Sequence, residues 1–161
     1  MLWFWAGGVR RVSVISTGES AGIIGEGDLP FHITILYAGL NGLLVFMLAL
    51  RVTLVRGKTK IAFGMGGNAE LELAARVHGN AIEYVPIVLI LMGLLEAYRV
   101  PMLLIHGIGV ALTLGRVVHA WGYARSSGPS VGRAGGTILT WLALLVASVT
   151  AILVSCGVVL V

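Results

Sequence analysis

Charge is scarce in this chain: of 161 residues only 11% are Asp, Glu, Lys or Arg, and from Ala134 to Val161 there is none. Soluble domains carry about a quarter of their residues charged, so a solvated globular fold is excluded. Cysteine is equally sparse. Cys156 is the only one and lies in an apolar run, which excludes an internal disulfide framework and points to packing or lipid contact. His78 has no potential ligands at suitable spacing, and no metal is expected. Aromatic residues do not interleave with the Lys and Arg in a solvated patch, so the net charge of +4 and pI near 9.7 do not point to nucleic acid. The first 28 residues also lack the basic-then-apolar order of a secretory signal. Met1 to Ala6 is short and aromatic, and Gly and Ser accumulate through Gly27, which predicts a mobile extension ahead of a membrane domain at 29–161.

Apolar residues are what the chain has in abundance, at 58% of the total with a mean hydropathy of +0.99. A helix of about 20 apolar residues, rising about 1.5 Å per residue, crosses the hydrocarbon layer. Phe31 to Leu50, a long segment from about Glu70 to Tyr98, Pro101 to Tyr123 and Ala134 to Val161 each meet that length. The fold class is therefore an all-α membrane protein with four transmembrane helices. Arg51, Arg56, Lys58 and Lys60 follow the first span, and Arg125 and Arg133 lie between the third and fourth; Arg99 alone marks the connection between the second and third. By the positive-inside rule, loops 1-2 and 3-4 face the cytoplasm. The stretch from Gly57 to Asn68, with Gly64, Gly66 and Gly67, reads as a flexible loop able to close over a site, and Asn68 as the N-cap of the next helix. Gly107, Ala111 and Gly115 on span three and Ala143, Ala147, Ala151 and Ser155 on span four form small-residue seams for close packing.

Against this background the polar residues of spans two and three stand out. At 100° per residue Glu72, Arg76, Asn80 and Glu83 fall within about 80° of each other, and Arg116, His119 and Tyr123 within about 60°. Each ionisable group in a span costs about 2.5 to 3.5 kcal/mol on insertion scales, so such groups face a bundle interior and bind something there or pair with one another. An interhelical clamp, with Arg76 or Arg116 neutralising Glu83, accounts for any one of them, but a buried polar network is a poor source of net stability compared with apolar packing. The inventory favours a ligand. Arg offers a planar donor fork for carboxylates, Glu83 accepts an ammonium, and Asn80 serves a peptide bond from either side. These groups suit a small zwitterionic peptide with two carboxylates and one amine, and positive charge nearby would activate a thiol on it.

Two motifs carry a resemblance. Arg76-Val-His78-Gly-Asn80-Ala-Ile-Glu83-Tyr84-Val-Pro86 and Gly115-Arg116-Val-Val-His119-Ala-Trp-Gly-Tyr123-Ala-Arg125-Ser126 resemble the MAPEG family, the membrane-associated proteins in eicosanoid and glutathione metabolism. The likeness extends over roughly residues 29 to 155 and is closest to the family's bacterial branch, which implies a bacterial inner membrane. It implies a homotrimer of four-helix bundles that binds glutathione as cosubstrate between neighbouring subunits, near the cytoplasmic side. Carried onto matching positions, Arg76, Asn80, Glu83, Tyr84, Arg116, His119, Tyr123 and Arg125 would line the glutathione pocket, and Arg51 or Arg56 would reach a glutathione carboxylate. The thiolate-stabilising role falls by location to Arg133, with Arg125 as the other candidate. The activity implied is that of a glutathione-dependent transferase or peroxidase acting on lipophilic electrophiles from the bilayer. Gly79 departs from eicosanoid-type members, which often carry a long side chain there, and this argues against prostaglandin synthase activity. The alternatives are a non-catalytic lipid-binding or scaffold protein of the same fold, and a proton relay or transporter using Glu83 and His119.

Overall fold

The four apolar runs become four helices: α1 (His32–Thr59), α2 (Ala69–Ala97), α3 (Met102–Arg125) and α4 (Val131–Ser155). Each is long and apolar enough to cross a bilayer. The structure is a computed structural model and describes residues 31–125 and 131–158, the side chains of 123–125 excepted. The extension at 1–28 lies outside the described residues.

Chain order places α2 and α3 at the centre. Both pack against each of the other helices, whereas α1 and α4 do not touch. The last turns of α1 and α3 and the first turns of α2 and α4 lie at one end, and the α2–α3 turn at the other. The main core gathers Ile33 and Tyr37 of α1, Val85, Val88, Met92 and Leu95 of α2, Ile105, Ile108 and Leu112 of α3, and Ala143 and Ala147 of α4. Many large apolar side chains, such as Leu43, Phe46, Ile90, Leu103 and Ile152, point outward. An outward apolar face of this extent is what a lipid solvent requires.

The helix ends follow local chemistry. Asn68 caps α2, its side chain accepting from Leu71 N at 2.9 Å. At the far end of α2, Arg99 adopts a left-handed φ of 57°, Val100 N donates to Leu95 O and Arg99 N to Glu96 O. These two bonds close a Schellman-type stop, and Pro101 prevents continuation. Pro86 removes one donor within α2, which nevertheless runs unbroken from 69 to 97.

Glu96 caps a helix other than its own. Its carboxylate accepts from Ile33 N at 2.9 Å and Thr34 N at 2.8 Å, with His32 Nδ1 at 3.5 Å from Oε1. The first turn of α1 contains no acidic residue, so a carboxylate from α2 supplies the missing acceptor at the positive end of the α1 dipole. Glu96→Ala is expected to lower stability by about 1 kcal/mol, the usual worth of an N-cap, with Glu96→Gln losing part of that. Thermal unfolding followed by tryptophan fluorescence measures it, and an unchanged midpoint in both variants would refute the cap.

Three expectations change. The basic loop is shorter and better fixed than expected: α1 runs on to Thr59, and Arg56 Nη1 donates to the carbonyls of Ile61, Ala62 and Gly64 at 3.2, 3.3 and 3.1 Å. Gly64, Gly66 and Gly67 all take positive φ, which explains their clustering as turn residues with defined conformations. Arg133 lies inside the first turn of α4 rather than in a loop. The small-residue seam is displaced as well. Its tight part pairs Gly115 with Gly136 and Gly122 with Gly132, while Gly107 and Ser155 are exposed. Above it, Pro101, Leu104, Gly107, Ala111, Ala143 and Val146 help line an apolar groove of about 440 Å³.

Candidate functional site

The register that buries the apolar residues of α3 also buries a cation. Ile105, Ile108, Leu112, Arg116 and His119 recur at three- and four-residue steps on its inner face, and Arg116 is only 2% exposed. Opposite it, α4 presents Gly136, Thr140, Ala143 and Ala147 at the same steps. The gap left by the glycines and the hydroxyl of Thr140 receive the guanidinium. On α2 the innermost stripe is Leu71, Ala74, Val77, Ala81, Val85 and Val88. Asn80 and Tyr84 sit at its half-buried border, and Arg76 and Glu83 lie one step further out, exposed.

Arg116 joins three helices. Nε donates to Thr140 Oγ1 at 2.9 Å, Nη1 to Asn80 Oδ1 at 2.5 Å and to Asn80 O at 3.5 Å, and Nη2 to Gly136 O at 3.4 Å. Thr140 Oγ1 passes its own hydrogen to Gly136 O at 2.9 Å. The Tyr84 ring lies 5.8 Å from Arg116 Cζ, within the range of a cation–π contact. Among the described residues no carboxylate contacts Arg116, so there a buried positive charge is stabilised by neutral oxygens and one aromatic face. Hydrogen bonding to neutral groups keeps such a charge in the bundle at a cost that apolar packing would not carry.

The sequence-derived site residues take distinct positions. Asn80, Tyr84 and Arg116 come together, with His119 buried one turn beyond Arg116 on α3. Arg76 and Glu83 flank Asn80 on the same stripe of α2, exposed, and Glu83 pairs with neither Arg76 nor Arg116. Arg51 is half-buried on α1, while Arg56 is occupied with the loop carbonyls. Arg133 is half-buried on α4. Tyr123 and Arg125 belong to the last turn of α3, and their side chains lie outside the described residues.

Sequence reasoning missed Thr140 and Gly136, which hold the far edge of the guanidinium. Their signal was present in the run Gly132, Gly135, Gly136 and Thr140, where small residues at four-residue spacing include a hydroxyl. A second polar pairing lies nearer the other end. Tyr37 Oη and His106 Nδ1 are 3.1 Å apart, and Asn41 Nδ2 donates to Thr113 Oγ1 at 2.9 Å. Asn41 is thus an inter-helix hydrogen-bonder, and His106 is held by α1.

Residues 34–153 match the family described as MAPEG. The chain is 36% identical over 113 residues to the inner membrane protein YecN of Escherichia coli strain K12, covering 70% of this chain and 85% of the relative. The YecN protein of Escherichia coli O6:H1 matches to the same extent.

Proposed function

The chain belongs to the MAPEG family, and on that footing we propose that this integral inner membrane protein binds glutathione and transfers its thiolate to lipophilic electrophiles reaching it through the bilayer. The observation that carries this reading is the face of α2: Arg76 and Glu83 stand exposed beside the braced Asn80, within a helix long and apolar enough to span the membrane. Ionisable groups at such a position are expensive in lipid. A second copy of the chain covers this face in a homotrimer, and a zwitterionic ligand held at the junction satisfies the charges. Arg76 matches a ligand carboxylate with two parallel donors, Glu83 accepts from the ligand's ammonium, and Asn80 donates to a ligand oxygen.

The thiol loses its proton to water on binding, and cations hold the thiolate. Arg133 is assigned this role, with Arg125 in the last turn of α3 as the other candidate. The sulfur lone pair then forms a C–S bond to the electrophilic carbon. The displaced electron pair leaves with the substrate's leaving group or, in an addition, takes up a proton from water. Arg51, Tyr84, His119 and Tyr123 complete the pocket wall in this reading, with the α1–α2 and α3–α4 connections on the cytoplasmic side.

Glutathione added to the purified protein is expected to release a proton and produce thiolate absorbance, and Arg133→Ala is expected to remove the absorbance while leaving most of the binding. Binding without thiolate at neutral pH would refute the transfer mechanism. The apolar groove of about 440 Å³ between α3 and α4 supports a second reading, that of a non-catalytic lipid-binding protein. Mass spectrometry of lipids extracted with the protein separates the two: a retained acyl ligand lost in Gly107→Leu, with no thiolate in the wild type, favours the second.

A further inference from the structure

Arginine carries hydrogen-bond donors and no acceptor, so the atom of Asn80 that faces Arg116 has to be Oδ1. The amide is planar, and its orientation follows: Nδ2 points away from the guanidinium. Nothing among the described residues accepts from that nitrogen, and it is not sealed from its surroundings. It projects from the stripe of α2 that also holds Arg76 four residues before and Glu83 three residues after. A free asparagine side chain turns either end toward a ligand, whereas this one offers two N–H donors and no acceptor.

The guanidinium is itself held at both edges. Thr140 accepts from Nε, Gly136 O accepts from Nη2, and Thr140 in turn donates to Gly136 O, so its hydroxyl hydrogen is committed and a lone pair faces Arg116. The order is fixed from α4 through α3 to α2.

We propose that Arg116 and Thr140 are positioning residues that lock the Asn80 amide as a donor, making the site selective for a carboxylate or carbonyl oxygen at that point and against an ammonium. With glutathione as the ligand this rests on the function proposed above; the locking itself does not. Arg116 then acts through Asn80 and touches no ligand atom. Glu83 is left as the acceptor for the ligand's amine, so the two ends of a zwitterionic peptide are told apart by neighbouring residues on one helix.

The test uses the full chain in detergent micelles, with glutathione as the titrant in calorimetry and the thermal midpoint measured in parallel. Asn80→Asp keeps an oxygen toward Arg116 but replaces the outward donor with an acceptor. Its midpoint is expected to hold or rise while glutathione affinity falls by about tenfold or more, the worth of one hydrogen bond to a charged acceptor. Thr140→Val is expected to weaken binding similarly, and Thr140→Ser to restore it. Wild-type affinity in Asn80→Asp would overturn the proposal, as would a Thr140→Val variant that shifts only the midpoint. Should the wild type not bind glutathione, the functional reading fails and the lock is read directly from the side-chain amide protons of isotope-labelled Asn80. Rapid exchange with water, from a single fixed orientation that Thr140→Val mobilises, supports it; protected protons in the wild type overturn it.

Discussion

Gly136→Leu is expected to abolish the folded bundle. A Cβ at this position would lie 2.5 Å from Gly115 O and 2.5 Å from His119 N, with His119 Cα at 2.7 Å. All three are backbone atoms of α3, so relief requires the two helices to separate rather than a side chain to rotate. Ordinary overpacking costs about 1 to 3 kcal/mol, and a collision with a neighbouring helix backbone exceeds that range. Separation would also withdraw Thr140 and Gly136 from Arg116 and leave a charge in an apolar interior without its acceptors. Gly135 provides the control, because a Cβ there meets nothing within 4 Å. The expected result is that Gly135→Leu elutes as a single species with a thermal midpoint near the wild type, whereas Gly136→Leu aggregates or fails to accumulate. Equal behaviour of the two variants would show that α3 and α4 do not approach at Gly136. Gly136→Ala refines the measurement, since even one methyl collides.

The difference between these adjacent glycines shows where sequence reasoning runs out. Span number and approximate span position were legible because the bilayer imposes a length and the apolar runs meet it. The N-cap at Asn68 and the stop before Pro101 were legible because they depend on local chemistry alone. The pairing of Asn80 with Arg116 was half legible. Periodicity placed each residue on an inward stripe at one end of the bundle; the clamp weighed as the alternative to a ligand paired an arginine with Glu83, and the bond goes to a neutral amide instead. Which of two residues three apart meets Arg116 depends on rotation of α2 by a fraction of a turn, and that rotation follows from the burial of Val77, Ala81 and Val85. Small-residue patterns occur in several registers on α3 and α4, so spacing alone chose the seams at Gly107–Gly115 and Ala143–Ser155. Glu96 was invisible for a related reason. A carboxylate near the end of an apolar helix gives no sign in the sequence that it will cap a helix 62 residues away.

Arg116→Met is expected to separate stability from binding. Methionine is unbranched and uncharged and ends about where Nε lies, so the variant loses the hydrogen bonds to Thr140, Asn80 and Gly136 together with the desolvation cost of the guanidinium. Replacing buried ionic groups by apolar ones of similar volume is often neutral or stabilising, which predicts a folding free energy within about 1 kcal/mol of the wild type. Thr140 retains its bond to Gly136 O, so little is orphaned on α4. Asn80 loses the partner that orients it and becomes free to turn an oxygen toward the ligand. Glutathione affinity is therefore expected to fall by about thirtyfold, the sum of one charged hydrogen bond and the entropy of ordering the amide. Arg116→Lys should behave in the opposite sense on stability. A single ammonium cannot reach Thr140 on one side and Asn80 on the other with the planar fork's geometry, yet it keeps the burial penalty, so the conservative substitution costs about 2 kcal/mol. Thermal unfolding and calorimetric titration of both variants provide the comparison. A methionine variant that binds glutathione as tightly as the wild type would remove Arg116 from the site, and one less stable than the lysine variant would make the arginine a determinant of folding. Because the two readouts are expected to rank the variants differently, their order distinguishes a residue that aims another from one that only holds helices together.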